Sequence, residues 1–164
     1  MKSETTLKPS FGARIVSLFG WLAVCYMAAS TGAFVSTGDW YASLTKPSWN
    51  PPAWIFGPVW SFLYTVMAVA AWLVWCIGGW KQQRAPLGLF VVQLMLNAIW
   101  TPLFFGLHLP SLAFGEIILL WFALAATLYL FWTRRRLAGV LLIPYLIWIS
   151  FAAYLNFTIW QLNS

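Results

Sequence analysis

Five long segments without Lys, Arg or Asp, and with a single Glu, most strongly limit what this chain can fold into. They are residues 15–35, 47–80, 85–107, 110–133 and 137–164, and the acid is Glu116. A bilayer core of about 30 Å needs about 20 helical residues, so each segment can cross it once. Backbone groups in lipid must be bonded within their own segment, and none of the runs alternates as a barrel strand does. We therefore predict an all-α integral membrane protein, one domain over residues 1–164, with transmembrane helices at about 14–35, 53–80, 86–107, 111–133 and 138–161.

The distribution of basic residues predicts an orientation. With five spans, the N-terminus and the second and fourth connections share one side of the membrane and carry all nine Lys and Arg residues except Lys46. Basic residues accumulate on the cytoplasmic side, so we predict a cytoplasmic N-terminus and an outer C-terminus, in a bacterial cell membrane. The net charge of +6 then reflects orientation rather than nucleic-acid binding. The basic triplet at residues 134–136 has a second interpretation, the binding of anionic lipid headgroups.

Residues 36–52 form a long connection between the first two predicted helices. A loop of this length is usually functional or disordered, and Trp40, Tyr41 and Trp49 argue against disorder. We predict an ordered loop that folds over the outer ends of the helices. Within the helices, Pro58, Pro102 and Pro144 are expected to cause breaks.

Three predicted helices each carry a face of aromatic and amide side chains. Their members are Trp60, Tyr64 and Met67; Gln93, Asn97 and Trp100; and Tyr145, Trp148, Ala152 and Asn156. If the faces converge, they form an apolar pocket with a few hydrogen-bonding groups, as small-molecule sites do. The alternative is that the amides join helices and the aromatic residues form interfacial belts. A belt does not explain Trp60, Trp100 and Trp148, which lie several residues inside their spans.

Two further residues leave their roles open. Glu116 either lines a polar path inside the membrane or lies near the outer interface within reach of water, which we favour. His108 lies at the outer end of the third helix without other metal-ligand types nearby in sequence, so no metal site is predicted. A weak axial contact from His108 to a bound haem is the alternative to a plain interfacial position.

Three stretches together resemble the tryptophan-rich sensory protein (TspO) family, whose animal relative is the translocator protein, once called the peripheral benzodiazepine receptor. They read WYASLTKPSWNPPAWIFGPVWSFLY (40–64), QLMLNAIWTPLFFG (93–106) and PYLIWISFAAYLNF (144–157). The resemblance implies a five-helix bundle, often a homodimer, that binds porphyrins such as protoporphyrin IX or haem and synthetic benzodiazepine-site ligands. No obligatory cofactor is implied. The residues at the matching pocket positions are Trp60, Asn97, Trp100, Trp148 and Ala152. Tyr64, on the same face as Trp60, would bond a polar substituent of the ligand.

The first loop is then expected to act as a stiff lid over the pocket. Prolines lower the entropy cost of fixing a loop. The aromatic residues of the loop would cover a flat ligand, and Lys46 would bind a carboxylate of that ligand. The lid residues are Trp40, Lys46, Trp49, Pro51 and Trp54.

The resemblance leaves several functions open. The leading hypothesis is a porphyrin-binding membrane protein that senses, sequesters or transports its ligand, and not a hydrolytic or metal-dependent enzyme. The alternatives are light-dependent degradation of bound porphyrin, with Trp60 and Trp148 as electron donors, and a regulatory scaffold without transport. Sterol binding is doubtful, because no Lys or Arg follows Arg136 and Gln161 replaces the base of the animal sterol motif.

Overall fold

The computed structural model describes residues 10–33 and 38–164, and its regular structure is entirely helical. Six α-helices follow one another, with a 3₁₀ turn after the first and before the third, and a π-helical turn after the fourth. They are α1 (Phe11–Ala29), α2 (Gly38–Ser43), α3 (Phe56–Gln82), α4 (Arg84–Thr101), α5 (Pro110–Arg134) and α6 (Arg136–Leu162); the turns are Ser30–Ala33, Ala53–Ile55 and Pro102–Gly106.

All helices except α2 are long and apolar enough to cross a membrane. The prediction of an all-α protein with five membrane-spanning helices is therefore confirmed, and the protein is a multi-pass membrane protein. Lys2 and Lys8, which contribute to the predicted orientation, lie outside the described residues.

The bundle is built mainly from antiparallel neighbours. The α5–α6 and α4–α5 hairpins pack closely, α3 packs against α6 and α1, and α1 touches chiefly α3 and α4. Arg135 alone, in an extended conformation, separates α5 from α6. Cys25 is the one fully buried residue of α1, which fits a helix at the edge of the bundle that faces lipid over much of its surface.

The predicted proline breaks have three different outcomes. At Pro102 the α4 ladder gives way to the π turn, in which the Leu107 amide donates to the Pro102 carbonyl at 2.8 Å. Pro58 lies in the first turn of α3, where its missing N–H costs no intrahelical bond, and α3 runs on through it without a break. Pro144 lies inside α6, which continues through it as one helix.

A glycine pair, rather than a proline, interrupts α3. Gly78 and Gly79 have non-helical backbone angles, and Gly79 has φ of +65°. That left-handed conformation is open to glycine at little cost and is unfavourable for residues with a Cβ. The pair therefore turns the last residues of α3, from Trp80 onward, away from the line of the helix.

Candidate functional site

A cavity of about 570 Å³ lies among the helices, next to the first loop. All six predicted pocket residues line it: Trp60, Tyr64, Asn97, Trp100, Trp148 and Ala152. The three aromatic-and-amide faces predicted from spacing therefore converge. Tyr26 of α1, Gly32 of the turn after it, and Ile117 and Leu120 of α5 also contribute to the lining.

A chain of buried hydrogen bonds forms one polar side of the cavity. The Tyr64 hydroxyl donates to Asn97 Oδ1, and Asn97 Nδ2 donates to the Tyr145 hydroxyl at 2.9 Å. Asn97 thus joins α3, α4 and α6 through one side chain. Because its Oδ1 accepts from one helix and its Nδ2 donates to another, Asn97 acts as a helix bridge while still lining the cavity.

A second amide holds the outer part of the site. Trp100 Nε1 donates to Asn156 Oδ1 at 3.1 Å, and Asn156 Nδ2 donates to the Pro110 carbonyl at 2.8 Å. The indole of Trp100 also stacks on Phe104, with centroids 5.1 Å apart and planes at 17°. The hydrogen bond and the stacking together fix the Trp100 ring against the cavity.

An aromatic wall adjoins this polar side and comes from α3 and α6. The rings of Trp60 and Trp148 are 6.5 Å apart and nearly perpendicular, at 86°. Trp60 also lies 5.5 Å from the Tyr64 ring, and Trp148 lies 5.5 Å from the Phe151 ring. Such edge-to-face and tilted pairs are favourable ring arrangements, so this wall is preorganised by its own packing.

The first loop borders one end of the cavity, but not through the predicted lid residues. Among the loop and the turn that follows it, Tyr41 and Ala53 line the cavity. Trp40 instead stacks on His108 at 4.2 Å, Trp49 stacks on Tyr154 at 5.2 Å, and Trp54 is 74% exposed. The structure therefore does not place Trp49, Pro51 or Trp54 on the cavity, and Trp49 packs on the outside of α6.

Lys46 is engaged within the loop itself. Its ammonium donates to the carbonyls of Ala42 and Leu44, at 3.2 and 3.1 Å, and lies 4.7 Å from the centre of the Tyr41 ring. It does not line the cavity. The base therefore stabilises the end of α2 and covers Tyr41, a role that its charge alone did not indicate.

Tyr41 is held as a neutral donor at the edge of the cavity. Its hydroxyl donates to Asn50 Oδ1 at 3.2 Å. Burial raises the pKa of the Tyr41 phenol above its ordinary value. The phenol therefore stays protonated through the physiological range and keeps the loop closed on itself.

The loop is also attached to the far end of the chain. The Thr45 amide donates to Asn163 Oδ1, and Asn163 Nδ2 donates to the Thr45 carbonyl, both at 2.9 Å. This paired contact joins the loop to the residue that follows α6. Sequence reasoning missed it, because neither residue belongs to a recognisable motif.

Two polar side chains beside the site are buried without hydrogen-bond partners. Glu116 is 8% exposed and Gln93 is fully buried, and neither carboxylate oxygen nor either amide atom is bonded to the protein. The favoured interpretation of Glu116, a position within reach of water, is therefore wrong. Its chain neighbour Ile117 lines the cavity, and Gln93 lies one helical turn from Asn97.

The described residues contain no group of three His, Cys, Asp or Glu side chains that could hold a metal ion. His108 adopts a positive φ of 57° in the turn between α4 and α5, and its ring packs on Trp40.

Phe56, Phe104, Phe105 and Phe151 also line the cavity. Sequence analysis did not single them out, since phenylalanine is common throughout these spans.

Comparison with known proteins agrees with this geometry. The TspO/MBR family model matches residues 19–161. Tryptophan-rich protein TspO of Chlorobaculum tepidum is 47% identical over 156 residues, which cover 92% of this chain and 98% of the relative. Protein CrtK of Rhodobacter capsulatus is 43% identical over 145 residues (87% and 90%), and the human translocator protein is 42% identical over 146 residues (84% and 86%). The resemblance seen in the three motifs is confirmed, and the chain belongs to the TspO/MBR family.

Proposed function

We propose that this membrane protein binds a porphyrin, protoporphyrin IX or haem, in the cavity among its helices, and thereby senses, sequesters or transports it. The observation that carries the proposal is a cavity of about 570 Å³ with indole walls and a hydrogen-bonded amide. Sites for small molecules typically span about 300–1,000 Å³ and combine apolar walls with few polar groups. Flat indole and phenyl faces suit a planar macrocycle. Synthetic benzodiazepine-site ligands would occupy the same cavity.

Titration of protoporphyrin IX against the purified protein, followed by fluorescence quenching, tests the proposal. Trp60→Phe and Trp148→Phe each remove indole overlap and keep apolar volume, so each should weaken binding a few-fold. The matched control is Trp132→Phe, which changes an exposed indole on α5 that does not line the cavity. Equal effects of all three changes, or no saturable binding by the unaltered protein, would contradict the proposal.

A second candidate function is light-dependent degradation of the bound porphyrin. The contact of Trp60 with Trp148, at 6.5 Å on the cavity wall, supports it by placing two oxidisable rings where a ligand would lie. Illumination at matched occupancy separates the two functions, because a carrier leaves the porphyrin absorption unchanged. If degradation is the function, the Phe variants should suppress porphyrin loss far more than they reduce occupancy. The relatives' names, sensory and translocator protein, describe functions other than catalysis.

The remaining features of the proposal concern the membrane and the partners. The protein would lie in a bacterial cell membrane with its N-terminus in the cytoplasm, since the basic residues collect at one end of the bundle. It would form a homodimer, as members of its family often do. Sterol binding would be weak, because Gln161 stands where the animal motif has a base.

A further inference from the structure

A second, smaller depression lies on the outside of the bundle, away from the cavity. It has a volume of about 260 Å³ and runs between α1 and the end of α3. We call it the α1–α3 groove; its lining residues are Ser17, Gly20, Trp21, Val24, Trp75 and Trp80. It is smaller than a typical small-molecule site, so it suits a narrow chain better than a macrocycle.

Glycines at two places shape the groove. On α1, a Cβ added to Gly20 would meet no atom within 4 Å, so this glycine leaves open space between the two helices. On α3, the left-handed Gly79 redirects the chain just before Trp80. Trp80 is 46% exposed and still lines the groove, which therefore depends on the glycine break.

The indole rings of the groove offer hydrogen-bond donors without protein acceptors. Trp72, one turn before Cys76, donates its Nε1 hydrogen to the Arg14 carbonyl at 2.8 Å and so ties α1 to α3. Within the described part of the chain, the indole nitrogens of Trp75 and Trp80 have no such partner. An apolar ring with an unsatisfied N–H is the form that suits the boundary between lipid tails and headgroups.

Positive charge surrounds the same end of the groove. Lys81 follows Trp80 directly and is exposed. Arg14 and Arg135 both lie near Cys76, the chain neighbour of Trp75. Arg14 of α1, Lys81 of α3 and Arg135 between α5 and α6 thus place positive charge at the end of the bundle where the apolar groove ends.

We propose that the α1–α3 groove binds one anionic glycerophospholipid. An acyl chain lies over Gly20 between Trp21 and Trp75, and the phosphate accepts from the Trp80 indole and lies near Lys81. The apolar groove alone would take any lipid chain; the indole donor and the bases select a negatively charged headgroup, since each base near the surface favours anionic lipid. This site is independent of the porphyrin cavity.

Native mass spectrometry of the full-length protein in mild detergent tests the proposal. Phosphatidylglycerol and phosphatidylcholine with identical acyl chains are added in turn, and the retained lipid is counted. The unaltered protein should retain one phosphatidylglycerol in preference to phosphatidylcholine. Gly20→Leu fills the groove and should abolish retention, whereas Gly115→Leu, at an equally open glycine on α5, should leave it unchanged.

A variant at an exposed residue tests the headgroup contact separately from the acyl-chain contact, without a change in the packed interior. Lys81→Gln removes one exposed charge and should lower the preference for phosphatidylglycerol about five-fold. The proposal is overturned if Gly20→Leu retains as much phosphatidylglycerol as Gly115→Leu, or if Lys81→Gln leaves the preference unchanged. It is also overturned if Gly20→Leu alters only the ratio of monomer to dimer, which would make the groove a contact between two copies.

Discussion

At the scale of single residues, Asn97 has the most demanding position. It accepts from the Tyr64 hydroxyl and donates to the Tyr145 hydroxyl inside the bundle. Asn97→Leu leaves one phenol without its acceptor and the other without its donor. Since an unsatisfied buried polar group costs about 1–3 kcal/mol, we expect the variant to unfold at a lower temperature in detergent and to bind porphyrin more weakly.

Gln93→Leu is the matched control for that change. Gln93 is fully buried on the same helix, one turn away, but its amide has no protein partner. Replacing it with an apolar side chain of similar size should be neutral or stabilising. If Gln93→Leu destabilises the protein as much as Asn97→Leu, the loss reflects packing in α4, and the hydrogen-bond argument for Asn97 fails.

Glu116 is a buried residue whose carboxyl group is expected to lower the stability of the protein. An isolated carboxyl group in an apolar interior is unfavourable, and ionisable residues inside a span commonly mark functional sites. Glu116→Gln keeps the shape and removes the acid, so the apparent melting temperature in detergent should rise. Asp39→Asn, at an exposed acid of α2, is the control. A lower melting temperature for Glu116→Gln alone would show that the carboxyl group is stabilising.

At the scale of elements, the attachment of the loop to the end of α6 sets how firmly the cavity is closed. The Asn163 side chain makes two hydrogen bonds to the Thr45 backbone and a third to the Ile159 carbonyl. Asn163→Ala removes them, at about 1 kcal/mol for a typical net hydrogen bond. We expect faster amide hydrogen exchange at residues 40–50 and faster porphyrin release. Ser164→Ala is the control, because that hydroxyl bonds only to the Trp160 carbonyl; equal exchange in both variants would contradict the prediction.

The same scale shows why sequence predicts some elements and not others. The spans follow from charge-free runs, because lipid excludes unpaired backbone and charge along the whole length of a helix. The pocket faces follow from helical spacing, which by itself predicts that Trp60, Asn97 and Trp148 lie close together. The break at Gly78–Gly79 carries no such signal, since glycine is also common inside membrane helices.

The sequence does not predict the long-range contacts of the loop either. The aromatic content of the loop predicts that it packs, but not on what: Trp49 packs on Tyr154 rather than over the cavity. Lys46 likewise donates to carbonyls of its own loop rather than lining the cavity. Which ring meets which surface depends on the relative positions of α2 and α6, and one-dimensional spacing does not carry that information.

At the scale of the whole molecule, the bundle has two chemically different ends. One end carries Arg14, Lys81, Arg84 and the triplet at 134–136, and the other carries the aromatic loop and Lys46. The cavity lies next to the aromatic end and the α1–α3 groove next to the basic end. If the basic end is cytoplasmic, the porphyrin site faces outward and the lipid site faces the inner leaflet, where anionic lipid contributes a negative surface potential.

Cysteine labelling in intact cells tests that orientation. Cys25 is buried and Cys76 is partly buried within the spans, so the unaltered protein should react little with a membrane-impermeant maleimide. A cysteine introduced by Ser164→Cys, at the exposed C-terminus, should be labelled from outside. One introduced by Gln82→Cys, exposed at the basic end, should react only after permeabilisation. The reverse pattern would place the loop in the cytoplasm, and porphyrin would then reach the cavity from inside the cell.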